Sequence, residues 1–135
     1  MKKKHTLTVG GTRGIGRALV RTLAEENHRL SVIGRRFPSE TDRHIPDVHY
    51  WVLDLLDRER LSEVLAEIIH QNGKLSSLVF SQRYRGKEDD WIGEIETSLT
   101  ATKNVIECLV DEFDDTNENS IVIVSILVWD FWTGE

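Results

Sequence analysis

The chain has 135 residues, 39% of them hydrophobic, with a formal net charge of −6 at pH 7. That size and apolar content suit one domain over residues 1–135 with a small buried core. The negative balance argues against a general nucleic-acid or anionic-membrane surface, and no run of about 18 apolar residues offers a membrane span.

The amino-terminal "MKKK" leads straight into an alternating strand, His5–Val9, rather than into the apolar core of a signal peptide. With a single cysteine, Cys108, unable to form an internal disulfide, the chain is expected to be cytoplasmic. After the first strand come four glycines in seven residues, and then Ile15, Leu19 and Leu23 at helical spacing, predicting a helix over residues 15–27. A tight turn feeding a helix start is an anion site, most often for phosphate, because the first amides of the helix point back at the turn. "RLSVIG" (Arg29–Gly34) is short, β-branched and ended by glycine, and "VHYWVLD" (48–54) follows a loop around Pro38 and Pro46; both are predicted strands.

Leu61, Val64, Leu65 and Ile68 recur at helical spacing, and "LSSLVFS" (75–81) is a fourth strand. Ile95, Leu99, Thr102, Ile106, Leu109 and Phe113 then predict a further helix, and "SIVIVSILVW" (120–129) a fifth strand. Continuous apolar runs belong to strands covered on both faces, so the class is α/β: a doubly wound parallel sheet in three layers. The acidic and polar run "DEFDDTNENS" from Asp111 is a solvated loop. Cys108 lies off the apolar stripe with no histidine at a catalytic spacing, and the five histidines form no metal-spaced cluster, so neither a nucleophile nor a metal site is expected.

In this setting the glycine turn lies where open parallel sheets bind dinucleotide phosphates. It resembles the Thr-Gly-x-x-x-Gly-x-Gly signature of the short-chain dehydrogenase/reductase family, carried by Gly10, Gly14 and Gly16, with Val9 in place of the threonine. The resemblance runs from the first strand to the fifth and implies a Rossmann-like sheet in the order 3-2-1-4-5. It implies NADP(H) as cofactor: Gly34, Arg35 and Arg36 stand where NAD-binding members carry an acid, and Arg13 precedes the second motif glycine as in NADP-preferring relatives. A guanidinium forms charge-assisted bonds with the adenosine 2′-phosphate, which an acid would repel. Asp54 matches the family aspartate that holds the adenine amino group, with Leu55 lending its backbone; Asp54 can alternatively cap the helix starting near Asp57. Thr12 and Ile15, inside the turn, complete the expected cofactor contacts.

The resemblance further implies a carbonyl–alcohol oxidoreductase in which a tyrosine exchanges the proton and a lysine four residues later lowers its pKa. Here Tyr50 is followed at that spacing by Asp54 and Tyr84 by Glu88, and Glu135 ends the sequence before the family's usual place for the pair. Other positions also depart. "FSQR" (80–83) replaces Asn-Asn-Ala-Gly, which weakens the expected close backbone contact on the nicotinamide side. Ser98 aligns with the active-site asparagine, Asn104 lying too far along the helix to replace it, and Ile126 aligns with the substrate-orienting serine, Ser125 being one residue early. Trp129, Phe131 and Trp132 either line a substrate pocket or pack against other segments or a partner. The expectation is therefore an incomplete or degenerate short-chain oxidoreductase acting, if completed, on a small carbonyl or alcohol and forming homo-oligomers. A non-catalytic dinucleotide-binding sensor or interaction module is the alternative.

Overall fold

The computed structural model describes residues 3–83, 91–115 and 118–124. Strand β1 (His5–Val9) is buried along its whole length on both faces, as a central strand must be. On one side it pairs in parallel with β2 (Arg29–Gly34), which pairs with β3 (Val48–Val52); on the other it pairs with β4 (Ser77–Phe80), which pairs with β5 (Ser120–Ile123). The order is β3-β2-β1-β4-β5, the order read from the sequence.

Alternation along the strands sorts the side chains into two cores. Leu7, Val9, Ile33, Leu78 and Phe80 meet Leu61, Val64, Leu65 and Ile68 of helix α2 (Arg58–Asn72) together with Ala101, Val105 and Leu109. Leu30, Val32 and Val48 face the other way and meet Val20, Leu23 and Ala24 of helix α1 (Gly14–Glu25). Helices on both faces make the three layers.

Local chemistry fixes the helix ends. Asp57 caps α2 by accepting from the Arg60 amide at 3.2 Å, and Gly73 ends it at φ +88°, a conformation that favours glycine. Helix α1 is phased differently from the sequence expectation: Gly16 and Val20 are its buried positions, whereas Ile15 is 55% exposed.

The predicted third helix is a composite of α3 (Trp91–Ile95), a π-helical turn (Glu96–Thr100) and α4 (Ala101–Leu109). The wider turn shifts the rotational phase, so Leu99, expected within the apolar stripe, is instead 65% exposed. Three predicted strands are shorter than expected within the described residues, the fifth ending at Ile123. The third stops at Val52, and the fourth begins at Ser77, Leu75 forming only an isolated bridge to Phe113. Ser125, Ile126, Trp129, Phe131 and Trp132 lie outside the described residues, as do Tyr84 and Glu88.

Candidate cofactor-binding cleft

Parallel pairing in register brings the carboxyl ends of the strands to one rim: Val9 lies opposite Ile33 and Phe80, and Gly34 opposite Val52. The chain leaving each strand is then laced to its neighbour. The Gly10 amide donates to the Ile33 carbonyl (2.7 Å), the Leu53 amide to Gly34 (3.0 Å) and the Ser81 amide to Val9 (2.8 Å). Between these exits lies a cleft of about 410 Å³ at the point where the strand order reverses direction, between β1 and β4.

Close packing shows why the turn is glycine-rich. Gly10 has φ +80°, and a Cβ there would come within 2.8 Å of the Gln82 backbone nitrogen. A Cβ on Gly16 would stand 2.5 Å from Ser81 Oγ and 2.6 Å from the Gly10 carbonyl oxygen, so α1 could not sit this close to the turn. The Ser81 hydroxyl closes the same junction by donating to the Gly10 carbonyl. Although "FSQR" departs from the family pattern, the backbone of β4's exit stays pressed against the glycine turn. Arg13 stands at the N-cap of α1 in extended conformation and no side chain caps the helix, which leaves its first-turn amides for an external acceptor.

Of the ten residues expected to contact a cofactor, Gly10, Thr12, Arg13, Arg35, Arg36, Asp54 and Leu55 line this cleft together. Gly14, Ile15 and Gly16 form the first turn of α1 behind it rather than its lining. Arg83, which sequence reasoning treated only as a departure, adds a fourth guanidinium to the wall. Among the described residues none of the four makes an ion pair, and Asp54 is the one carboxylate in the lining. Asp54 Oδ1 accepts from the Leu56 amide at 2.9 Å, holding the turn before α2, while the cap itself is Asp57. The alternative role for Asp54 as the helix cap is thereby assigned to its neighbour.

The expected catalytic departures have definite places. Ser98 lies on the π-helical turn and its hydroxyl donates to Glu94 at 3.2 Å. Asn104 is buried and accepts from Arg58 at 3.3 Å, occupied away from the cleft. Tyr50 packs beside the α1 core outside the cleft lining; burial, followed by the Asp42 charge, holds its phenol above the ordinary tyrosine range. Cys108 is exposed, and no group of three or more metal-ligating side chains occurs among the described residues. Among them, too, no helix is long and apolar enough to cross a membrane.

A doubly wound parallel sheet with a glycine turn and a cationic cleft at its switch point defines a class of α/β domains that bind nucleotides at that place. Within that class, the family model for short chain dehydrogenase matches residues 4–128, and the chain belongs to that family. It is 26% identical over 142 residues to the 3-oxoacyl-acyl-carrier-protein reductase FabG of Thermotoga maritima, covering 95% of this chain and 57% of that protein. It is 33% identical over 85 residues to the benzil reductase IRC24 of Saccharomyces cerevisiae, covering 56% of this chain and 31% of that one. The match thus spans little more than half the length of the FabG protein and under a third of the benzil reductase. Among solved structures, ElxO with NADP bound superposes with a TM-score of 0.74 at 23% identity, covering 91% of this chain and 55% of that one. A short-chain dehydrogenase from Streptomyces avermitilis superposes at 0.79 with 20% identity, covering 91% and 49%. At these identities the superpositions show the shared fold.

Proposed function

We propose that the cleft binds NADP(H) and that the chain is the dinucleotide-binding part of a short-chain oxidoreductase interconverting a small carbonyl and an alcohol. The carrying observation is the wall where β2 ends: Gly34 stands where an acid would select NAD, and Arg35 and Arg36 line the same cleft as Arg13. The donor set fits the group. An anionic dinucleotide needs cations that are not already neutralised, uncapped helix amides and a turn without side chains, and all three occur at one rim. That ElxO, a relative by fold, has been solved with NADP bound supports the reading.

In this reading the first-turn amides of α1 orient the pyrophosphate beside Gly10. Arg13 and Arg35 hold the adenosine 2′-phosphate, with Arg36 as a neighbouring charge, and Asp54 accepts from the adenine amino group through the carboxylate oxygen not engaged by Leu56. When bound, the nicotinamide supplies or accepts the hydride. The proton relay expected of the family needs a tyrosine with a lysine one helical turn on, and neither tyrosine of this sequence has one. These 135 residues bind and orient; they do not complete the relay.

Calorimetric titration of the whole chain with NADPH and NADH tests the reading. Saturable binding of NADPH, tighter than that of NADH, is the expected result. Binding of neither, or a preference for NADH, would overturn it.

A further inference from the structure

Gly34 is a glycine for a reason that its own backbone does not supply. Unlike Gly10, it does not have a positive φ, so its conformation is open to any residue. What stands in the way is Thr12. A Cβ built on Gly34 would lie 3.1 Å from Thr12 Cγ2 and 3.7 Å from Thr12 Oγ1, with the Arg36 carbonyl oxygen at 3.5 Å in ordinary contact. Thr12 and Gly34 both line the cleft, one from the glycine turn and the other from the end of β2.

Thr12 cannot readily yield that space. Threonine carries two heavy atoms on Cβ, and here both face Gly34. Two of the three staggered positions are always filled, so no rotamer clears both of the places that crowd position 34. The turn beneath Thr12 is also held against β2. The Gly10 amide donates to the Ile33 carbonyl at 2.7 Å, and a Cβ on Gly11 would meet Val32 Cγ1 at 2.6 Å and Val20 Cγ2 at 3.1 Å, both side chains being fully buried. Backing away from Gly34 would break the first contact and open a void at the second.

We propose that Thr12 is a specificity-determining residue of the cleft. By filling the place that an acidic side chain at position 34 would need, it keeps the end of β2 free of the carboxylate that would accept from the ribose 2′-hydroxyl of NAD and repel the 2′-phosphate of NADP. The inference rests on the cofactor reading above and adds a residue to it. The arginines attract the phosphate, and Thr12 excludes the side chain that would select against it. The exclusion is local: shortening Thr12 to alanine removes both crowding atoms and leaves a Cβ at position 34 with the ordinary contact to the Arg36 carbonyl.

Two measurements on the full chain test the coupling. Melting temperatures of Gly34→Ala, made in the wild-type and in the Thr12→Ala background, read the packing without any cofactor. Where the space is open and φ is not positive, alanine in place of glycine stabilises modestly by restricting the unfolded chain. Gly34→Ala should therefore lower the melting temperature beside Thr12 by about 2 °C or more, and should hold or raise it in the Thr12→Ala background. Calorimetry with NADH and NADPH then reads the selectivity. Gly34→Asp alone should weaken NADPH binding and leave NADH affinity within about twofold of the wild type. The double variant Thr12→Ala with Gly34→Asp should bind NADH about ten- to a hundredfold more tightly than Gly34→Asp alone, the range of one hydrogen bond to a charged group. The same change in melting temperature in both backgrounds, or equal NADH affinities in the single and double variants, overturns the inference while leaving NADP(H) binding intact. A wild-type chain that binds neither cofactor overturns the cofactor reading and the inference with it.

Discussion

Arg17 Nε stands 2.7 Å from one carboxylate oxygen of Asp42 and its Nη2 3.3 Å from the other, and Asp42 is only 1% exposed. The pair ties α1 to the 3-10 turn Asp42–His44, which lies on the connection from β2 to β3 that also carries Arg35 and Arg36. Arg21 approaches the same carboxylate at 3.6 Å. The clamp therefore links the helix behind the glycine turn to the loop proposed to hold the 2′-phosphate.

Removing that carboxylate should loosen both. Asp42→Ala is expected to lower the melting temperature by more than Lys103→Ala does, because Lys103 and its partner Glu107 form an exposed pair at 2.9 Å, of a kind that contributes little. It is also expected to weaken NADPH binding more than NADH binding. Thermal melts and paired titrations check both; equal melting temperatures in the two variants would contradict the clamp.

His5 gives stability a pH dependence. Its ring is buried, Nδ1–H donates to the Gly73 carbonyl at 2.8 Å, and Nε2 accepts from the Ser31 hydroxyl at 2.7 Å, which in turn accepts from Asn72 at 3.1 Å. Burial is the main cause that holds its pKa below the ordinary 6.5, offset in part by the Gly73 bond. In the unfolded chain the ring takes up a proton as pH falls through 6.5, whereas the folded chain resists. The contribution of His5 is thus fully present above that pH and is lost as pH falls below it, until the folded state protonates too. Urea melts between pH 7.5 and 5 should show a falling midpoint, and His5→Asn should flatten that part of the curve.

The carboxyl-side edge of the sheet should drive association. β5 is an edge strand of the described sheet, and Ile121, Val122 and Ile123 are 45%, 45% and 57% exposed. An apolar strand edge is a template for pairing. Light scattering is expected to show dimers or larger species, shifted toward monomer by Val122→Lys. A wild-type sample that stays monomeric at every concentration would contradict this.

Turnover should be absent even where binding is strong. With Asp54 following Tyr50, and Glu88 following Tyr84, at the spacing where a lysine is needed, these 135 residues should reduce no carbonyl panel efficiently. NADPH oxidation at ordinary enzymatic rates of about 1–1,000 per second would contradict the incomplete relay.

The sheet was legible because its signals are local. β1 and β2 were read to the residue, since each is a short buried run ended by glycine. The phase of a helix is less local. Leu99 belongs to a 3.6-residue stripe in the sequence, but the π-helical turn inserts a wider step and swings it out to solvent. Arg13, Arg35 and Arg36 could be placed in one cleft because the strand order brings the exits of β1 and β2 together. The bonds from Gln82 to Thr97 and Thr102 could not, because they join segments 15 and 20 residues apart and leave no pattern in the chain. His5 was visible only as the first residue of a strand; its partners Ser31 and Gly73 come from sequence positions 26 and 68 residues away.

The central claim, an NADP(H) site built on the glycine turn with Arg35 on the 2′-phosphate, is tested most directly by titrating Arg35→Ala with NADPH and NADH. A charge-assisted bond contributes about 1.5–3 kcal/mol, so NADPH affinity should fall by roughly ten- to a hundredfold. NADH affinity should change little, and the difference should shrink at high ionic strength, because Arg35 is exposed. Equal losses for the two cofactors, or no loss for NADPH at low salt, would contradict the assignment of the 2′-phosphate to this wall of the cleft.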